Sequence, residues 1–74
     1  MEHPRISIDP DVVAGKPCVA GTRISVQLIL NMLAAGDSRT DVLAGYQSLQ
    51  DDDISAALRY AADCAGVAVR QAAK

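Results

Sequence analysis

Aromatic side chains are nearly absent from this sequence of 74 residues. It contains no Phe, no Trp and two Tyr, although 50% of its residues are hydrophobic. Its core must therefore be built from small aliphatic side chains, each of which buries little apolar area. A domain of this length buries only about 60% of the surface that its unfolded chain exposes. We therefore expect a marginally stable domain that gains stability from an oligomer or a partner.

Catalytic and metal-binding side chains are also scarce. The sequence has one histidine, His3, and two cysteines, Cys18 and Cys64, whose spacing matches neither a zinc site nor a redox motif. No base is placed to activate a thiol or a hydroxyl group. His3, with Glu2 as its only obvious neighbour, is expected to act neither as a ligand nor as a base. We predict that the chain is not an enzyme and has no cofactor. We interpret the cysteines as reduced packing thiols, with a disulfide or a reactive thiol as the alternative.

Positive charge is in short supply as well. Seven Lys and Arg stand against nine Asp and Glu, and the net charge is -2. This balance argues against strong non-specific binding to nucleic acid or to an anionic membrane. The sequence has no run of about 20 apolar residues that would span a membrane, and no signal-peptide core follows its first residues. The expected compartment is the cytoplasm.

The first third of the chain predicts a short β arm over residues 5–24. Residues 5–8 alternate polar and β-branched side chains, which predicts a strand with Ile6 and Ile8 facing inward. The predicted mate is residues 17–20, after which Gly21 permits a positive φ. Two strands this short are marginally stable alone, so we expect the arm to lie on helices or on a second chain.

A first helix is predicted from Ser25, a suitable N-cap, to Gly36, a suitable left-handed C-terminal cap. Its main apolar positions follow helical spacing. A second apolar row makes the helix apolar around more than half of its circumference, so the helix is either central to the fold or part of a dimer seam. We assign Leu28 and Met32 to that seam.

Two more helices are predicted downstream. Ser38 and Asp41 have the form of a capping box for a helix over residues 39–45. Asp51 is the predicted N-cap of a third helix, which ends at Cys64 or Ala65 and leaves residues 66–74 as a frayed or partner-ordered tail.

The acidic run at residues 51–53 suits the positive end of a helix dipole. Consecutive helical side chains point in different directions, so we interpret this run as capping rather than as a Mg²⁺ or Ca²⁺ site. Residues 1–74 are predicted to form a single, mainly α domain. Its three-helix core over residues 25–65 is of the homeodomain-like or helix-turn-helix type and is preceded by the β arm.

A set of these residues, taken in order, resembles a known family. The set is Gly15, Pro17, Gly21-Thr22-Arg23-Ile24, Val26, Gly36, Ser38, Tyr46, Leu49, Ile54, Ala57-Leu58 and Tyr60-Ala61. The pattern is similar to domain of unknown function family 433. The resemblance implies a small bacterial or archaeal protein with a homeodomain-like helical fold, and an antitoxin encoded beside a PIN-like ribonuclease toxin. This chain departs from the family in the turn between helices two and three, where Gln47 replaces the usual proline and Gln50 the usual threonine.

Arg23 is the first candidate for a contact residue. Its guanidinium group, placed just before a helix N-terminus, is suited to a carboxylate or a phosphate of a partner. The alternative is a structural clamp, in which Arg23 pairs with Asp9 or Asp11 across the hairpin.

The remaining candidates lie on the third helix, in the tail and in the arm. PIN-like ribonucleases gather carboxylates around a metal ion, so a cation inserted there would block the site. The predicted toxin contacts, besides Arg23, are Arg59, Tyr60, Arg70 and Lys74. The candidates for DNA contacts are Arg5, Lys16 and Arg39. Three aspartates at the start of the third helix would repel the DNA backbone.

The leading hypothesis is an antitoxin-like subunit of a type II toxin-antitoxin system. We expect it to form a homodimer or a higher oligomer and to inhibit a PIN-like ribonuclease encoded nearby. One alternative is a helix-turn-helix regulator that binds its own operator DNA, a role that is compatible with the first. The other is a structural dimerisation module.

Overall fold

A two-stranded arm and three helices make up the structure. The computed structural model describes the backbone of residues 3–72 and the side chains of residues 3–66. The elements are β1 (Ile6–Ser7), a 3-10 turn (Val13–Gly15), β2 (Cys18–Val19), α1 (Val26–Ala34), α2 (Arg39–Gly45) and α3 (Asp51–Ala72). The predicted fold class is confirmed: a mainly α, three-helix core follows a short β arm. None of the helices within the described residues combines the length and the apolar character that a membrane span requires.

The two strands of the arm pair as the sequence predicts. β1 and β2 are antiparallel, with Ile6 opposite Val19 and Ser7 opposite Cys18. Ile6 packs against the hydrophobic core, whereas Ile8 is 60% exposed, so the predicted inward orientation of Ile8 is wrong. The pairing ends at Ser7, and the alternation of a paired strand therefore no longer fixes the side chain of Ile8.

Local signals set both ends of α1. The Ser25 hydroxyl accepts a hydrogen bond from the Leu28 backbone N–H at 3.0 Å, which confirms the predicted N-cap. Beyond the last helical residue, Gly36 adopts a φ of +104°, a conformation that favours glycine. The side chains of Val26, Ile29, Leu30 and Leu33 belong to the core or pack against it, as the helical spacing predicts, and Met32 also packs against it.

A capping box begins α2. The Ser38 hydroxyl accepts from the Asp41 N–H at 3.0 Å, and the Asp41 carboxylate accepts from the Ser38 N–H at 3.0 Å. These hydrogen bonds to Ser38 lower the pKa of the Asp41 carboxyl group. The capping box and the bounds predicted for α2 are both confirmed.

The start of α3 differs from the prediction. The helix begins at Asp51, so Gln50, not Asp51, precedes its first turn. The buried Asp53 reaches back and accepts a hydrogen bond from the Gln50 N–H at 2.8 Å. Asp51 as N-cap is therefore wrong, because the third residue of the helix already satisfies the backbone at this end.

The end of α3 also differs. The helix continues through Gly66 to Ala72, beyond the predicted end at Cys64 or Ala65. Gly66 does not adopt a positive φ, and it remains within the helix. A glycine inside a helix costs only about 1 kcal/mol relative to alanine, so it does not by itself stop the helix.

One hydrophobic core joins the three helices and the arm. Its buried members are Val19, Val26, Ile29, Val42, Leu49, Ile54 and Ala57. β2 and each of the three helices contribute at least one of them, and Ile6 of β1 packs against the cluster. The core is small and aliphatic, as the composition predicts.

An ion pair fastens the arm to the start of α3. Arg5 Nη1 donates to Asp53 Oδ1 at 2.9 Å, and Arg5 Nη2 lies 3.5 Å from Asp52 Oδ2. The Asp53 side chain is 9% exposed and the Asp52 side chain 74%, so the two carboxylates differ in how much solvent screens them. Asp53 is thus the stronger anchor of the arm.

A second arginine fastens α2 to α3. Arg39 Nε donates to Asp51 Oδ1 at 2.9 Å, and Arg39 Nη2 donates to the Asp51 carbonyl at 3.0 Å and to Ser55 Oγ at 2.6 Å. The hydrogen bond from Arg39 lowers the pKa of the Asp51 carboxyl group. Arg39 therefore fixes the turn that sets α3 against α2.

We predict that Asp53→Ala lowers the free energy of unfolding by about 1 to 2 kcal/mol, because Gln50 loses its capping acceptor and Arg5 loses its buried partner. Asp52→Ala is the matched control and should change it by no more than about 0.5 kcal/mol. Asp53→Asn, which retains a side-chain oxygen for Gln50, should fall between the two. Urea unfolding followed by circular dichroism measures all three, and equal losses in the two alanine variants would contradict the assignment.

We also predict that acid lowers the free energy of unfolding in part by protonating Asp51, the partner of Arg39. Because the folded-state pKa of Asp51 is lowered, its contribution is complete above the unfolded carboxyl pKa of about 3.9 and is lost as the pH falls below it. Arg39→Gln removes the cause of the shift, so the fall in unfolding free energy between neutral pH and acid should become shallower. Arg59→Gln, at an exposed arginine, should leave the pH profile unchanged, and an unaltered profile in Arg39→Gln would refute this prediction.

Candidate partner-binding groove

An apolar groove of about 480 Å³ lies between α1 and α3. One end is formed by the arm, where Lys16 and Pro17 precede β2. The full lining is Lys16, Pro17, Val26, Gln27, Leu30, Asn31, Tyr60, Ala61, Cys64 and Ala65. We refer to this surface as the α1/α3 groove.

The spacing of residues on the two helices explains the shape of the groove. Val26 and Leu30 are four residues apart and share one face of α1, while Ala61 and Ala65 share one face of α3. Because alanine side chains extend only a short distance from the α3 backbone, another helix is able to approach α3 closely. The groove is therefore a shallow apolar surface with one cation, Lys16, at its edge.

Tyr60 lines the groove and packs against His3. Its ring packs edge-to-face against His3 with centroids 5.1 Å apart. The neighbouring Cys64 thiol raises the pKa of the Tyr60 hydroxyl, and loss of solvent adds to the shift. Like an ordinary tyrosine, Tyr60 is neutral at neutral pH, and it lines the groove with a phenol.

His3 is better placed than the sequence predicts. Its Nε2 lies 2.8 Å from Asp63 Oδ2, and its side chain is only 10% exposed. The expectation that Glu2 is its only neighbour is wrong, because the arm crosses α3 and sets His3 against residues far away in sequence. Tyr60 and Asp63 share one face of α3 by their spacing, but nothing local to His3 reveals that it lies on that face.

The structure brings some predicted site residues together and separates others. Lys16 and Tyr60 both line the α1/α3 groove, so a candidate for DNA contact and a candidate for toxin contact border the same surface. Arg5 and Arg59 border a second cavity, of about 280 Å³. Arg23 borders a third, of about 600 Å³, on the arm. The side chain of Arg70 and the whole of Lys74 lie outside the described residues.

The predicted clamp between Arg23 and the arm is not present. Within the described residues Arg23 forms no ion pair with Asp9 or Asp11, and the Asp9 carboxylate instead accepts from the Asp11 N–H at 2.9 Å. The hairpin is fastened by Arg5 to Asp53 of α3, which the sequence analysis did not foresee. Arg23 is exposed.

The residues assigned to a dimer seam have unequal surroundings. Met32 packs against the core cluster of its own chain, while Leu28 is half-buried and is not among the side chains packed against that cluster. Of the two, only Met32 therefore contributes to packing against the core cluster of its own chain. The seam itself remains a prediction.

The aspartates at the start of α3 face different arginines. Asp51 binds Arg39, and Asp53 binds Arg5. In the part of the chain that the structure describes, no three His, Cys, Asp or Glu side chains come together as a metal site. Of the three aspartates, Asp53 therefore has the predicted capping role, and Asp51 binds Arg39 of α2.

Comparison with known proteins agrees with this architecture. The family model described as "Protein of unknown function (DUF433)" matches residues 6–61. A crystal structure of a DUF433 member protein from Anabaena variabilis superposes with a TM-score of 0.79 at 30% sequence identity, covering 95% of this chain and 69% of that chain. No curated protein matches the chain. The matched family model and the related structure together show that the chain belongs to the DUF433 family.

Proposed function

We propose that this chain is an antitoxin-like subunit that binds and inhibits a PIN-like ribonuclease in the cytoplasm. The observation that carries the proposal is the α1/α3 groove, an apolar surface of about 480 Å³ that the described part of the chain does not cover. Apolar grooves between helices are a common seat for an amphipathic helix of a partner. The antitoxin role is what the resemblance of the sequence to its family implies.

A partner helix suits the groove for three reasons. Ala61 and Ala65 let a helix backbone approach α3, and Tyr60 supplies a rigid aromatic wall of the kind that anchors protein interfaces. Lys16, whose Nζ donates a 3.4 Å hydrogen bond to Gln27 Oε1, offers a positive charge at the edge. The proposed occupant is therefore an amphipathic helix of the ribonuclease.

Arg59 supports the inhibitory part of the proposal. It lies on α3 one residue before Tyr60, it is exposed, and it forms no ion pair within the described residues. A guanidinium group in this position is suited to the carboxylates that hold a metal ion in a PIN-like active site. Arg70 and Lys74 extend the same proposal, on sequence grounds, to the residues after Gly66.

Two other functions are weaker candidates. Of the residues proposed to contact DNA, Arg5 and Arg39 already bind aspartates of α3, and the exposed Asp52 lies at the start of the same helix. Their charge is thus partly neutralised where a helix-turn-helix protein would meet phosphates. A dimer through Leu28 and Met32 is compatible with the antitoxin proposal. If dimerisation were the sole role of the chain, the chain would be a structural module.

We predict that the chain co-purifies with the ribonuclease encoded by an adjacent gene and that Ala61→Arg weakens this complex at least about tenfold, because the added side chain fills the α1/α3 groove. The matched control is Ala62→Arg, at the next residue of α3, which is exposed and does not line the groove. Asn31→Arg, on the exposed rim of α1, tests the same groove with less risk to the fold. Light scattering and a binding titration measure the effect.

Three results would contradict the proposal. Failure of the folded chain to bind that ribonuclease would remove the antitoxin role. A homodimer with no other partner would favour the structural module, and salt-dependent binding of operator DNA by the chain alone would favour the regulator.

We further predict that Arg59→Ala restores about a tenth or more of the activity of the bound ribonuclease while the complex persists through the groove. Loss of a charge-assisted contact on the active site is worth about tenfold in binding. Arg59→Lys, which keeps the charge but loses the planar fork, should inhibit to an intermediate degree. A ribonuclease assay on purified complexes measures the activity, and full inhibition by Arg59→Ala would exclude this residue from the inhibitory contact.

A further inference from the structure

The turn that carries Arg23 is held in one conformation by its own hydrogen bonds. The Thr22 hydroxyl donates to the Val19 carbonyl at 2.8 Å and accepts from the Ile24 N–H at 3.0 Å. The Thr22 N–H also donates to the Val19 carbonyl at 3.0 Å, and the Val19 N–H donates to the Ile24 carbonyl at 2.9 Å. Gly21 enters this turn with a φ of +81°, which a residue with a Cβ would resist. Arg23 is thus presented on a preorganised backbone.

The guanidinium group of Arg23 has no carboxylate partner of its own. It is exposed, and no ion pair within the described residues includes it. The turn is ordered without it, because the hydrogen bonds that define the turn come from Thr22 and from the backbone. Its side chain therefore does not contribute to the observed hydrogen bonds of the arm.

Arg23 and the most exposed large hydrophobic side chain of the described residues border the same concavity. This cavity of about 600 Å³ lies on the arm, and Ile8, at 60% exposure, forms part of its lining. Ser7, Pro10 and Val12 also line it. A cation with a planar fork and an apolar surface are therefore combined in one small site, which we call the arm concavity.

We propose that the arm concavity binds a protein segment in which a carboxylate group lies beside an apolar side chain. The fork of Arg23 matches the two oxygens of a carboxylate, and Ile8 offers apolar area to the neighbouring side chain. Asp9 lines the same concavity, and Asp11 follows it closely. The negative charges of Asp9 and Asp11 repel a nucleic acid, which carries many phosphates, more strongly than they repel a peptide with a single carboxylate. This inference does not depend on the proposed ribonuclease.

The test is a titration of the isotope-labelled chain, followed by nuclear magnetic resonance, with N-acetyl-leucyl-glutamic acid amide as the probe. The expected result is saturable shifts of the Gly21, Thr22 and Arg23 amides and of the Arg23 side-chain N–H signal. The glutamine analogue of the probe, which lacks the carboxylate, should bind about tenfold more weakly or worse, because hydrogen bonds to charged groups are the stronger ones.

Three variants complete the experiment. Arg23→Gln should reduce binding by about tenfold or more, and Arg23→Lys should reduce it less, because the charge remains but the fork is lost. Gln47→Ala is the control, since Gln47 is exposed and lies in the turn between α2 and α3, outside the arm concavity. It should bind the probe like the unmodified chain.

Several outcomes would overturn the inference. These are the absence of saturable shifts at the turn, equal binding of the glutamic acid and glutamine probes, and an equal loss in the Gln47→Ala control. Binding of a short duplex DNA at the same amides more tightly than the acidic probe would assign the concavity to nucleic acid instead. Unchanged circular dichroism of each variant confirms that the comparison concerns folded protein.

Discussion

The arrangement of the arm and α3 depends on the two hydrogen bonds that the Asp53 carboxylate accepts. It accepts the Gln50 N–H at the start of α3 and receives the guanidinium of Arg5 from the arm, at 2.8 Å and 2.9 Å. One buried group therefore fixes where the longest helix begins and which part of it the arm touches. Lys16 and Pro17 belong to that arm and close one end of the α1/α3 groove, so the shape of the groove depends on a contact outside it.

The features that the sequence predicted well are those encoded within a few residues. Ser25, and the pair of Ser38 with Asp41, cap their helices as their side chains suggest, because a capping hydrogen bond spans only three residues. The pairing of β1 with β2 follows from two short β-branched segments joined by turn chemistry. The core face of α1 follows from its spacing.

The features that escaped prediction are decided by residues far apart in the chain. Arg5 and Asp53 are 48 positions apart, and no local pattern tells which of several arginines such an aspartate will bind. The same is true of His3, which meets Asp63 only because the arm crosses α3. The clamp considered for Arg23 would have joined it to Asp9 or Asp11 within the arm, whereas the arginine that fastens the arm is Arg5, through an aspartate of α3. The groove escaped prediction too, because it exists only between two helices and the segment before β2.

Cys64 provides a natural attachment site for a fluorescent dye in the α1/α3 groove. Its thiol is exposed and lines the groove, whereas Cys18 is buried and donates to the Lys16 carbonyl at 3.3 Å. A maleimide dye added to the folded chain therefore attaches at one position, with no need to engineer a cysteine. Attached there, the dye senses the polarity of the α1/α3 groove directly, and a bound helix that excludes water would change its emission.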